Sequence, residues 1–118
     1  MTIHGNLVSN GGSGPGRNFP IKDDTIDGNV IVHGWSGLWF GILRSTVGGN
    51  VVVANTSGTQ TGVDEFVGIL DSTEIVDNTI GGNLICHGNS PAAQIGDSGG
   101  GPNSVAGNAV GECAGLTG

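Results

Sequence analysis

The sequence predicts an all-β protein, a parallel β-helix (β-solenoid) of about five coils, expected to be right-handed. Three observations carry that expectation. Gly supplies 25 of the 118 residues, a density no helical domain tolerates, because each Gly inside a helix costs about 1 kcal/mol against Ala. Those glycines do not recur at every third position, which excludes a collagen-like chain. One short phrase recurs five times: Ile3-His-Gly-Asn-Leu, Ile26-Asp-Gly-Asn-Val, Val47-Gly-Gly-Asn-Val, Ile80-Gly-Gly-Asn-Leu and Val105-Ala-Gly-Asn-Ala. A period of 20-odd residues with strand-like content marks a repeat architecture. Each strand then bonds to its counterpart one coil away, at ~4.8 Å, and equivalent residues stack in columns.

Residues 1–118 read as one domain, with coils starting near residues 3, 26, 47, 80 and 105. Each coil opens on a glycine (Gly5, Gly28, Gly49, Gly82, Gly107), which permits the bend into the strand. Next comes a column of Asn6, Asn29, Asn50, Asn83 and Asn108, a ladder able to bond side chain to side chain and to backbone at a bend. Leu7, Val30, Val51, Leu84 and Ala109, and two positions further Ser9, Val32, Val53, Cys86 and Gly111, alternate toward the inside. Ile21, Ile42, Ile69 and Ile75 stand four residues before Thr25, Thr46, Thr73 and Thr79 and are expected to line a second inner wall. Gly41–Thr46 matches Gly68–Thr73, so Glu74–Thr79 reads as an insertion that lengthens the third interval. Residues 105–118 read as a C-terminal cap, whereas the N-terminal coil reads as uncapped.

Between the two inward columns lie Val8, Ile31, Val52, Ile85 and Val110. Alternation turns them outward, where a half-solvated strand carries polar residues. An outward apolar stripe implies a covered face, the cover being another copy or another part of a longer protein. The competing reading inverts the phase and puts this column inside.

Charge excludes several partners. Arg17, Lys22 and Arg44 face ten acidic residues, for a net charge of −7. Such a chain repels nucleic-acid phosphates and anionic membrane surfaces. No apolar run approaches the ~20 residues that span a bilayer. The first residues lack the basic and apolar regions of a signal peptide. The chain therefore reads as cytosolic or, the favoured reading, as a mature or partial chain of a secreted protein. Cys86 and Cys113 leave two alternatives. A bridge would stabilise by roughly 3–4 kcal/mol through loop closure; otherwise they are two buried thiols.

Candidate chemistry is sparse. Gly96-Asp-Ser98-Gly-Gly-Gly-Pro102 approaches the nucleophile loop of chymotrypsin-like proteases, with His33 or His87 as base. The extra Gly, the missing histidine motif and the short chain make it a Gly-rich connection. His33 and His87 share one repeat position two coils apart, ~10 Å, too far for one metal ion. Asp23 or Asp24 could meet Asp71 or Asp77 as an oxygen-rich calcium site, yet no calcium-loop spacing repeats, and a solvated acidic face is expected. No catalytic residue, metal or cofactor is assigned. Trp35, Trp39 and Phe40 concentrate the aromatics of an aromatic-poor chain and mark core, subunit contact or a sugar platform.

Three stretches resemble a known group. Ile80-Gly-Gly-Asn-Leu-Ile-Cys86-His-Gly-Asn-Ser-Pro-Ala92, Gly99-Gly-Gly-Pro-Asn103-Ser-Val-Ala-Gly-Asn108 and Gly111-Glu-Cys113-Ala-Gly-Leu116 resemble the C-terminal repeats of secreted bacterial β-solenoid proteins of actinobacterial type. The resemblance covers about residues 80 to 116 and implies a Cys86–Cys113 bridge between neighbouring coils. A looser likeness to bactofilins rests on Gly-Asn-Val alone.

The expected function is a non-catalytic, secreted module that self-associates, as oligomer or filament, through the apolar stripe or the open coil ends. The alternative is a cell-surface polysaccharide-binding module using Trp35 and Trp39. Ice binding ranks lower, because it needs an outward Thr column within a strand and the threonines read as corner residues.

Overall fold

The computed structural model describes residues 1–58, 73–90, 92–95 and 101–117; the side chains of residues 13–19, 38, 39 and 58 also lie outside the described part. The expected positions of Ile69, Asp71 and Ser98, and the Trp39 side chain, therefore fall outside it.

The described chain is all-β apart from one short 3-10 helix, and it visits three sheets in a fixed order. Strands β1 (Thr2–Ile3), β2 (Leu7–Asn10) and β3 (Ser13–Lys22) enter the first, second and third sheet. Strands β4 (Thr25–Ile26), β5 (Val30–His33) and β6 (Ser36–Leu43) repeat the circuit. So do β7 (Thr46–Val47), β8 (Val51–Ala54) and the pair β9 (Ser57–Gly58) and β10 (Glu74–Val76), both of which join β6. Strands β11 (Thr79–Ile80), β12 (Leu84–His87), β13 (Ser104–Val105) and β14 (Ala109–Gly111) complete the first two sheets. All the pairings are parallel.

The register puts like on like. Leu7, Val30, Val51, Leu84 and Ala109 pair across the second sheet, and Ile21, Ile42 and Ile75 across the third. Val30, Val32, Val51, Val53, Leu84, Cys86, Ile42 and Ile75 are all buried, as is the first-sheet column Ile26, Val47 and Ile80. Three apolar inner faces thus share one core, and alternation with period two explains which residues enter it. Glu74–Val76 pairs with Gly41–Leu43, so it occupies the ordinary place at the end of a circuit rather than an inserted one. The extra length of the third circuit precedes Thr73.

Corners are built in two ways. Between the second and third sheets the chain turns at residues of positive φ: Gly11 with Gly12, Gly34, Asn55 and Gly88. Asp23, Arg44 and Asp77 do the same after the third sheet. One left-handed residue turns the chain sharply, at a strain of order 1 kcal/mol where the residue is not Gly.

The third corner carries the asparagine ladder. The N–H of Asn29 donates to Asn6 Oδ1 at 2.8 Å, that of Asn50 to Asn29 Oδ1 at 2.8 Å, that of Asn83 to Asn50 Oδ1 at 2.8 Å and that of Asn108 to Asn83 Oδ1 at 2.9 Å. This ladder corrects the expected role of the preceding glycines. Gly28, Gly49, Gly82 and Gly107 do not have positive φ. A Cβ at Gly28 would instead overlap Asn6 Oδ1 and lie 2.6 Å from Gly5 O, and the other three are confined alike. Close approach of successive circuits, not bending freedom, is what requires Gly there.

Two further polar columns are buried, except for Glu112 at the end of the second, which is half-buried. Ser45 N–H donates to Asn78 Oδ1 at 2.9 Å, and Asn78 N–H to Asn103 Oδ1 at 3.1 Å. Thr56 N–H donates to Asn89 Oδ1 at 3.0 Å, and Asn89 N–H to Glu112 Oε2 at 2.9 Å. These side chains satisfy corner N–H groups that the strands leave unpaired.

The C-terminal segment folds over the last circuit. The 3-10 helix Glu112–Gly115 carries Cys113, which is bridged to Cys86 with a Cα–Cα distance of 5.4 Å. Leu116 adds to the core. Burial opposes ionisation of Glu112, but hydrogen bonds from the Ala93 and Asn89 N–H groups and the Asn89 amide outweigh it, and the pKa falls below the usual 4.5. A carboxyl depressed on folding stabilises above its unfolded pKa, and that contribution disappears as pH falls through the folded value. Stability should therefore drop from about pH 5 downward. Thermal melts of Glu112→Gln should show a lower Tm at pH 7 and a shallower acid-side slope; an unchanged slope contradicts this role.

Candidate interaction surface

The outer face of the second sheet is built by alternation. Where Val30 and Val32 point in, Ile31 must point out, and the register repeats this five times: Val8, Ile31, Val52, Ile85, Val110. The two end members are 59% and 50% exposed. The three middle ones are half-buried, because each is flanked above and below by its own kind. The phase is thus the outward one. The stripe spans four strand spacings, about 19 Å.

The five strands of this face contain no Asp, Glu, Lys or Arg. In a chain of net charge −7, the strands of this sheet carry none of the carboxylates. Beside the stripe run Asn10, His33, Ala54 and His87 in register. Both histidines are exposed and Ala54 is buried between them. Asn55 Nδ2 donates to His33 Nε2 at 3.1 Å.

The first sheet turns out another column. Thr2, Thr25, Thr46, Thr79 and Ser104 pair in register and are all exposed. They lie within strands, not at the corners where the sequence reading put them. The neighbouring positions His4, Asp27, Gly48, Gly81 and Ala106 differ in size and charge, and His4 Nδ1 bonds Asp27 Oδ2 at 2.6 Å. That face is therefore not the uniform array that ordering of water would call for.

Trp35 and Phe40 belong to the core at 7% and 0% exposure, their ring centroids 6.1 Å apart at a tilt of 45°. A ring so enclosed offers no open face to a sugar. The acidic column is interrupted: Arg44 stands between Asp23 and Asp77 and makes 2.8 and 3.1 Å hydrogen bonds to the Asp23 carboxylate. Those bonds hold the Asp23 pKa below its ordinary value. Among the described residues, no three His, Cys, Asp or Glu converge on one point.

The polar columns Ser45–Asn78–Asn103 and Thr56–Asn89–Glu112 escaped the sequence reading. The signal of the first column was present as a small polar residue, Ser45, Asn78 and Asn103, immediately before Thr46, Thr79 and Ser104. Among the described residues no helix is long and apolar enough to cross a membrane. No protein-family model, curated protein or solved structure matches this chain.

Proposed function

We propose that this chain is a secreted β-solenoid acting as a non-catalytic structural module, and that copies associate through the outer face of the second sheet. The carrying observation is the outward, uncharged Val8–Val110 stripe, exposed at its two ends and half-buried between them, on an acidic protein. Three sheets visited in cyclic order, with parallel in-register strands, support the solenoid reading. The Cys86–Cys113 bridge is compatible with an oxidising compartment. Four strand spacings by four residues make a face of about 19 by 13 Å. Together with its histidine and asparagine borders, such a face reaches only the lower end of specific interfaces, roughly 1,000 Å² in total. Association is therefore expected in the micromolar range.

Light scattering at roughly 50 μM should give a mass above that of one chain. Ile31→Lys puts an ammonium at the centre of the stripe and should weaken Kd at least tenfold, about 1.4 kcal/mol. Its Tm should stay within about 1 °C, because Ile31 faces outward. A mass that the lysine leaves unchanged would sink the lateral contact.

A further inference from the structure

The four circuits below the last one show what each circuit offers to the next. Ile26 O accepts from the Gly48 N–H at 2.8 Å, and Gly28 O from the Gly49 N–H at 2.8 Å. Asn29 Oδ1 accepts from the Asn50 N–H at 2.8 Å, and the Val30 N–H donates to Asn50 O at 2.9 Å. The same four bonds recur between the third and fourth circuits, on Val47, Gly49, Asn50 and Val51. At the last circuit the equivalent groups are Val105 O, Gly107 O, Asn108 Oδ1 and the Ala109 N–H. Strands β13 and β14 are the edges of their sheets. Leu116 of the C-terminal segment joins the core, and among the described residues that segment makes no hydrogen bond to these groups. Instead a cleft of about 450 Å³ opens over them, lined by Val105, Gly107, Asn108 and Ala109, with Ala114 and Thr117 on the cap side.

What fits the cleft is fixed by the repeat. It needs three N–H donors on successive residues and a carbonyl on the last, with no Cβ over Asn108 Oδ1 and an apolar side chain to rest on Val105. His4, Gly5 and Asn6 supply the three N–H groups and the carbonyl. Gly5 has no Cβ to meet Asn108 Oδ1, and among the described residues nothing lies within 4 Å of where one would be; its own φ of +125° differs from that of Gly28, Gly49, Gly82 and Gly107, so docking would also turn this residue into the repeat conformation. Ile3 supplies the apolar contact; like Val105 it is only partly buried at its end of the Ile3–Ile26–Val47–Ile80–Val105 column. Strands β1 and β2 are the opposite edges of the same two sheets.

We infer that the cleft at the last circuit is a docking site for residues 3–6 of a second copy, which add one further rung to the first and second sheets. This rests on the self-association reading above and names a second contact for it, head to tail. Because the two ends are heterologous, the contact does not close on itself, and copies add in line. Strand addition of this kind draws its affinity from main-chain bonds and its selectivity from alternate side chains.

The test is a covalent trap in the full chain, Thr2→Cys with Ser104→Cys. Stacking places positions 2 and 104 of neighbouring copies ~4.8 Å apart at Cα, within disulfide range. Inside one chain the two positions are about 19 Å apart, four strand spacings, and cannot join. Mild oxidation should give a non-reducing ladder in steps of 11.7 kDa, with the bond between positions 2 and 104 found by peptide mass spectrometry. Each single variant should stop at a dimer. Adding Asn108→Lys should cut the ladder at least tenfold while the melting curve is retained. Among the described residues Asn108 uses only its N–H, which donates to Asn83 Oδ1, and its carbonyl, which accepts from the Leu84 N–H. Adding Ile31→Lys instead should leave the ladder in place, even if it abolishes the lateral contact. No ladder, a ladder indifferent to Asn108→Lys, or one removed by Ile31→Lys would each overturn the head-to-tail contact.

Discussion

Asn78→Ala is expected to cost about 3–5 kcal/mol, a large share of the stability of a domain this size. The Asn78 side chain is 1% exposed. Its Oδ1 accepts from the Ser45 N–H at 2.9 Å, and its Nδ2 donates to Ile42 O at 2.8 Å and to Asn103 Oδ1 at 2.9 Å. Alanine strips two backbone groups, Ser45 N–H and Ile42 O, of these partners where water does not reach. Each such loss costs about 1–3 kcal/mol, and the vacated volume adds to it. Asn108→Ala is the matched comparison, since that side chain is exposed; it should cost less than about 1 kcal/mol. Urea unfolding of the two variants decides it. Equal losses would mean that the inner column is not a structural support.

Gly82→Ala should be nearly as damaging, at about 2–4 kcal/mol for a single methyl group. The added Cβ would overlap Asn50 Oδ1 and lie 2.8 Å from Gly49 O and 2.9 Å from Gly49 C. Asn50 Oδ1 cannot retreat without giving up the Asn83 N–H, which it holds at 2.8 Å. Either the two circuits move apart or a ladder bond breaks. Gly115→Ala, whose Cβ meets nothing within 4 Å, should change stability by no more than about 0.5 kcal/mol. Thermal melts of both would contradict the account if the two glycines proved equally tolerant.

How legible this protein is in its sequence depends on whether a column repeats one residue type. The Gly-Asn phrase does, and from it the register of the first two sheets follows: Asn6 to Asn108 run in one file, and Val30 and Val32 face in while Ile31 faces out. Alternation is strict in a strand, so one fixed position determines the rest. The column Ser45–Asn78–Asn103 does the same work with mixed side chains, and mixed chemistry hides it. Glu74–Thr79 was misplaced for a related reason. Gly68–Thr73 looks more like Gly41–Thr46, yet it is Glu74–Val76 that pairs with Gly41–Leu43. Pairing is decided by which inward Ile reaches the core, and identity at the polar positions carries little energy. Gly5 has the positive φ that bending freedom explains, but Gly28, Gly49, Gly82 and Gly107 are required by crowding from the circuit below, a tertiary effect that the sequence does not display. Trp35 and Phe40 could have been core or contact surface by residue type alone; burial separates the two.

Both proposed contacts between copies rest on stacking of circuits at the Gly-Asn corner. The backbone N–H groups of Asn29, Asn50, Asn83 and Asn108 lie outside the strands, where amides ordinarily exchange quickly. Here each donates to the asparagine of the circuit below at 2.8 or 2.9 Å. Residue-resolved hydrogen exchange by NMR therefore tests the stack directly. The stack predicts slow exchange for Asn50 and Asn83, comparable to the buried strand residues Val51 and Leu84. Exchange of these two amides at the rate of an open turn would contradict it.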